Sequence, residues 1–96
     1  MLELRPVCEN CGKSLQNESA EAMICSYECT FCKDCVDTVL HNVCPNCGGG
    51  FEKRPVRPKE KLQKDPAKTE PHFKPVNLST FGPLLARYKG TQPNKR

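Results

Sequence analysis

Eight cysteines carry whatever chemistry this chain can do. They are Cys8, Cys11, Cys25, Cys29, Cys32, Cys35, Cys44 and Cys47, all in the first half of 96 residues. The spacing is C-x2-C, thirteen residues, C-x3-C, two residues, C-x2-C, eight residues, C-x2-C. Close thiol pairs chelate a single ion, and eight sulfur ligands fill two tetrahedral all-cysteine zinc sites. Two bound Zn2+ are therefore the expected cofactors. Such sites are closed. Catalytic zinc keeps an open position held by three protein ligands, and no Ser/His/Asp set or carboxylate pair stands out in its place. The expected chemistry is structural, with no catalytic residue.

Disulfides are the competing use of eight cysteines, and they need an oxidising compartment. The opening residues, Met1-Leu2-Glu3-Leu4-Arg5-Pro6-Val7, show no basic segment followed by an apolar run, and no stretch is long enough to cross a bilayer. The expectation is a cytoplasmic protein with reduced, metal-bound thiols and no membrane contact.

The elements that must position these thiols are short. Cys8-Glu9-Asn10-Cys11-Gly12 and Cys44-Pro45-Asn46-Cys47-Gly48 read as two copies of one turn, a knuckle. The glycine after each second cysteine supplies the positive φ that turns backbone N–H groups toward sulfur. Residues 22–25 and 30–32 read as a hairpin of two short strands. Residues 33–41 read as one helix, with Val36, Val39 and Leu40 forming an apolar face at i, i+3 and i+4 and Asp34 near its start. Leu2 and Leu4 alternate with Glu3 and Arg5 in the manner of a strand edge, and residues 14–21 read as polar loop.

Charge divides the chain. Residues 1–50 carry a net −4 and residues 51–96 a net +8, giving the overall +4. Beyond Phe51, proline recurs at 55, 58, 66, 71, 75, 83 and 93 among lysines and arginines. That composition predicts a disordered tail over residues 53–96, because little apolar surface is available to offset ordering entropy. The fold class expected is thus a small metal-stabilised α+β module over residues 1–52 with a flexible tail, and a chain cut after Phe51 should keep the module. Within the tail, Leu78, Phe81, Leu84, Leu85 and Tyr88 have helical spacing, with Ser79 or Thr80 as caps, which predicts a short helix near residues 79–88 that docks on a partner.

Two groupings of the thiols are physically sensible. In the sequential one, Cys8, Cys11, Cys25 and Cys29 share an ion, as do Cys32, Cys35, Cys44 and Cys47. In the interleaved one, Cys8, Cys11, Cys32 and Cys35 form site 1, and Cys25, Cys29, Cys44 and Cys47 form site 2; this closes longer loops and places hairpin and helix between the ions.

Over residues 8–47 the pattern resembles the RING finger: a knuckle pair, a variable loop, two ligands, a third pair two residues later just before a helix, and a final C-P-x-C. Cys29 stands where that family usually has histidine. The resemblance implies the interleaved grouping. Over roughly the first 58 residues the chain is also similar to a family of small cysteine-rich bacterial proteins of unassigned function. The residues carrying that likeness are Leu2-Glu3-Leu4-Arg5-Pro6, Ile24-Cys25-Ser26, Glu28-Cys29-Thr30-Phe31-Cys32, Cys35-Val36, Cys44-Pro45-Asn46-Cys47-Gly48-Gly49-Gly50-Phe51 and Arg54-Pro55.

RING ubiquitin ligases grip a conjugating enzyme with an apolar residue inside the first pair and a basic residue after the last ligand. Glu9-Asn10 and Gly48 occupy those positions here, so ligase activity is not expected. An iron–sulfur carrier is a second reading, since Cys29, Cys32, Cys35 and Cys44-Pro45 resemble a ferredoxin run, but the last gap is too long for it. A third is weak, salt-dependent nucleic-acid contact through Lys53, Arg54, Arg57, Lys59, Lys61, Lys64 and Lys68. His41 and His72 are not needed as ligands. The expectation is a non-catalytic module that binds another protein.

Overall fold

The computed structural model describes residues 1–96. Its centre is a three-stranded antiparallel sheet. Strands β1 (Ala22–Ile24) and β2 (Thr30–Cys32) form the expected hairpin, with Ala22 opposite Cys32 and Ile24 opposite Thr30. A third strand, β3 (Glu52–Lys53), pairs with the other edge of β1, giving the order β2-β1-β3. Two residues with exposed side chains make β3 invisible to hydrophobic alternation.

Helix α1 (Lys33–Cys35) starts directly at the end of β2 and runs on as a π-helical turn over Val36–Leu40. Cys32, in extended conformation, caps it by accepting a hydrogen bond at Sγ from the Cys35 N–H. The turn stops at His41 and Asn42, both left-handed with φ of 48° and 61°. Val36 and Leu40 are buried and Val39 packs against the same core, as the apolar spacing predicts. No strand forms at Leu2–Leu4; Leu4 is buried, and the first knuckle is closed by a bridge between Val7 and Ser14.

The core is small. Six of its fourteen buried residues are cysteines; the others are Leu15, Ala22, Phe31, Val36, Leu40, Val43, Phe51 and Phe81. Phe31 and Phe51 meet edge to face, with centroids 5.4 Å apart, the arrangement ring quadrupoles favour. An apolar interior of this size cannot hold about 50 residues unaided.

Residues 53–96 are laid across the module, unlike the flexible tail that composition predicts. Arg54 is the reason at the near end. It is 1 % exposed, and its guanidinium donates to the carbonyls of Arg5 (2.9 Å), Leu15 (3.1 Å) and Gln16 (3.0 Å). Burial lowers its pKa, since no carboxylate compensates the lost hydration. Three loop carbonyls from residues 5–16 thus converge on one side chain from beyond the module's expected end. Arg57 follows the same plan. Its backbone N–H donates to Asn17 Oδ1 and its carbonyl accepts from Asn17 Nδ2 (both 2.9 Å), while its guanidinium reaches the carbonyls of Leu2 and Asp65.

A short helix, α2 (Lys59–Leu62), follows, and then a long one, α3 (Leu78–Tyr88), over the residues whose spacing predicts a helix. Asn77, rather than Ser79 or Thr80, caps α3 by accepting from the Ser79 N–H. The helix docks on its own module: Phe81 is 3 % exposed in the core, and Leu84, Leu85 and Tyr88 pack around it. No helix is long and apolar enough to cross a membrane.

Arg54 gives a direct test. Arg54→Ala should cost the metal-loaded protein about 3 kcal/mol, since three carbonyls, that of Leu15 fully buried, lose a charged donor. Arg54→Lys should recover little, because an ammonium lacks the fork that spans them. Denaturant midpoints on matched samples would measure both.

Candidate metal centre

The two end knuckles have the same backbone. In the first, the Cys8 N–H donates to Lys13 O (2.8 Å) and the Gly12 N–H to Cys8 O (3.0 Å). In the second, the Cys44 N–H donates to Gly49 O (2.8 Å) and the Gly48 N–H to Cys44 O (2.7 Å). Gly12 and Gly48 take φ of 78° and 79°, the left-handed region glycine enters without steric cost. The wider Cys25-x3-Cys29 turn uses Glu28 in that role, at φ 64°.

These turns, β2 and α1 gather the sulfurs. Sγ atoms of Cys8, Cys11, Cys32 and Cys35 all lie within 4.8 Å of one another. Those of Cys25, Cys44 and Cys47 form a second group by the same measure. Cys29 stands beside it: its thiol interacts with Cys25 and the Asn46 side chain and is felt by Cys44, although its sulfur is not within 4.8 Å of all three. Neither group mixes the first knuckle with Cys25, as the sequential grouping would need. All eight cysteines are free thiols. His41 ends the π-helical turn, and His72 lies 3.5 Å from Glu9 Oε1; neither joins a sulfur group.

The donor set fits an ion. A zinc-type dication binds thiolate at about 2.3 Å, so a tetrahedron of sulfurs has edges of about 3.8 Å. Cys11 Sγ and Cys32 Sγ are 3.7 Å apart. N–H groups also point at the sulfurs: Tyr27 N to Cys25 (3.3 Å), Asn46 N to Cys44 (3.4 Å), Gly49 N to Cys47 (3.4 Å) and Asn10 Nδ2 to Cys35 (3.3 Å). Donors aimed at sulfur favour thiolate over thiol and orient it toward a shared ion.

The match to a protein-family model covers residues 1–57, which include every cysteine. The chain belongs to the DUF1272 family, described as a protein of unknown function. It is similar to an uncharacterized protein, R02474, of Rhizobium meliloti (strain 1021): 53 % identical over 75 residues, covering 78 % of this chain and 89 % of that one. No solved structure matches the chain. The family segment ends at Arg57, so it takes in Arg54 as well as both sulfur groups.

Sequence spacing does not single out Glu9, Asn10 and Asn46, which link the two groups. Glu9 is 2 % exposed. Its Oε2 accepts from Asn46 Nδ2 at 2.8 Å, and Arg5 Nη1 and His72 Nε2 stand 3.5 Å from Oε1. Asn10 supports Cys35, and Asn46 reaches Cys29. A signal was present: each end knuckle has asparagine directly before its second cysteine.

Electrostatics set the pH dependence. Burial pushes the thiols of Cys29, Cys32, Cys35 and Cys44 above their ordinary value, with neighbouring thiols adding to it. Burial opposes ionisation of exposed-edge Cys11 too, but the Lys13 N–H and the Cys8 thiol outweigh it and lower its pKa. A raised thiol binds its proton more tightly in the folded chain than in the unfolded one. Without an ion, folding is therefore favoured below the ordinary thiol pKa and eroded as pH rises through the raised values. A dication at the same sulfurs reverses the sign, because each ligand must first lose a proton. Metal-loaded protein should accordingly release its ions and lose structure as pH falls, and metal-free protein should lose residual structure as pH rises. Paired pH titrations by circular dichroism, with released metal read by a chromogenic chelator, would check both directions.

Proposed function

We propose that the protein is a non-catalytic module with a RING-like interleaved arrangement, stabilised by two zinc ions, that acts by binding another protein. The observation carrying the reading is the sorting of seven of the eight thiols into two groups that alternate along the chain, with Cys29 beside the second. Sulfurs this close suit one ion per group. A polynuclear iron–sulfur cluster distributes its thiolates over separate irons and holds them farther apart, so its support is weaker. Among single ions, zinc suits closed four-thiolate cages and brings no redox chemistry of its own.

Partner binding is supported by large apolar side chains left at the surface, notably Tyr27 in the Cys25-x3-Cys29 turn, Phe73 and Leu78. The nucleic-acid reading has less behind it, because Arg54 and Arg57 spend their guanidinium groups on backbone carbonyls rather than facing solvent for phosphate.

Purified protein should contain two zinc ions per chain by elemental analysis and be colourless, where bound iron would absorb visibly. Structural zinc contributes on the order of 10 kcal/mol in small zinc peptides. Stripping with a chelator, or Cys32→Ser or Cys44→Ser, should therefore abolish cooperative thermal unfolding. Metal-free protein that still unfolds cooperatively would count against the reading.

A further inference from the structure

The two knuckles form one continuous surface, and residues 73–88 lie along it. The ring of Phe73 covers Gly12, close enough that a Cβ there would sit 3.3 Å from it. The Lys74 N–H donates to Glu9 O (2.8 Å) and the Val76 N–H to Asn10 Oδ1 (2.9 Å). Phe81 enters the core, and the ring of Tyr88 covers Gly48, where an added Cβ would sit 2.9 Å away. Each knuckle thus presents a bare glycine to an aromatic ring, and the first also reads two N–H groups, two residues apart, of an extended chain. Those are elements of peptide recognition: main-chain hydrogen bonds for register and a side-chain anchor for specificity.

The resident segment fits imperfectly. A gap of about 100 Å3 remains between Glu9, Pro45 and Asn46 on the module and Val76, Thr80 and Phe81 on the segment. Residues 71–80 are otherwise exposed apart from half-buried Val76, and their composition would leave them disordered off the surface.

We propose that this surface is a peptide-docking groove, that residues 73–88 are its resident occupant in cis, and that a partner protein's segment displaces them. This rests on the reading of the protein as a partner-binding module. The partner segment is extended where Lys74 and Val76 lie, carries an aromatic residue at the position of Phe81, and has a larger apolar residue in place of Thr80 to fill the gap. A second copy of this chain offers nothing that the resident lacks, and the resident has the advantage of a tethered effective concentration in the millimolar range. Only a better-fitting segment wins.

The probe is a fluorescent synthetic peptide of residues 72–90, titrated by anisotropy into the metal-loaded full-length chain. The wild-type chain should bind it weakly. Val76→Pro, which removes the N–H read by Asn10, and Phe81→Ser, which removes the anchor, should each undock the resident and strengthen peptide binding by about tenfold or more. A peptide carrying Phe81→Ser should not bind, and one carrying Thr80→Met should bind several-fold tighter than the native peptide. Equal affinity for all three chains, or indifference to Phe81→Ser in the peptide, would overturn the groove. A wild-type dimer dissolved by the peptide would overturn the choice of partner, because the displacing segment would then be a second copy. Zinc content of the same samples separates the failures: two ions retained without peptide binding refutes the groove alone, whereas ion-free folded chains refute the module reading and the groove with it.

Discussion

Sulfur crowding governs this fold. Seven thiols are brought into two groups, with Cys29 beside the second, in a domain that has only eight other residues in its core. Buried together as thiols they contribute modest apolar contact; buried together as thiolates they repel. A cation at these sulfurs would resolve the conflict by making the ionised form the stable one, and each loop that carries a ligand would then be held by metal–sulfur bonds rather than by area removed from water. The shortness of the strands follows from this. Three residues of β1 and three of β2 would not persist as an isolated hairpin, but here both ends of the hairpin are anchored at cysteines, Cys25 and Cys29 at the turn and Cys32 at the exit.

Backbone satisfaction is the second constraint. Loops around closely spaced ligands leave carbonyls that no sheet or helix can use, and buried carbonyls without donors are costly. Arg54 answers three of them along residues 5–16, Asn17 and Arg57 exchange a reciprocal pair, and Arg96 donates to the carbonyls of Asn42 and Gly48 beside the second knuckle. The basic character of the second half therefore has an internal use. These guanidinium groups serve as long-reach donors for irregular chain, a task for which a rigid fork suits arginine better than lysine.

Much of the first half was legible because turns that gather cysteines impose strict local demands. The paired knuckles, the glycines at positive φ, the hairpin and the apolar face of α1 each follow from residue type at a fixed spacing. The π-helical turn did not, since one extra residue in a five-residue stretch leaves no periodic trace. Strand β3 was hidden by its length. The placement of residues 53–96 was hidden for a different reason: proline and lysine content describes a chain with nothing to pack against, and says nothing of a surface already built by the preceding residues. Helical spacing at Leu78, Phe81, Leu84, Leu85 and Tyr88 identified α3 but not what it would cover. Nothing in the spacing marks Glu9 or Asn46, and their hydrogen bond across the two turns appears only once the turns are side by side.

Alternation of the two sulfur groups along the chain also orders events during synthesis. As the polypeptide emerges from the ribosome, the first set of four is complete once Cys35 is exposed, whereas the second waits for Cys47. At about 5–20 residues per second the interval is on the order of a second. For that time Cys25 and Cys29 would be tethered beside a filled first site with two of their own four corners missing, so with metal bound the nascent chain would depend on prompt arrival of Cys44-Pro45-Asn46-Cys47 to complete the second.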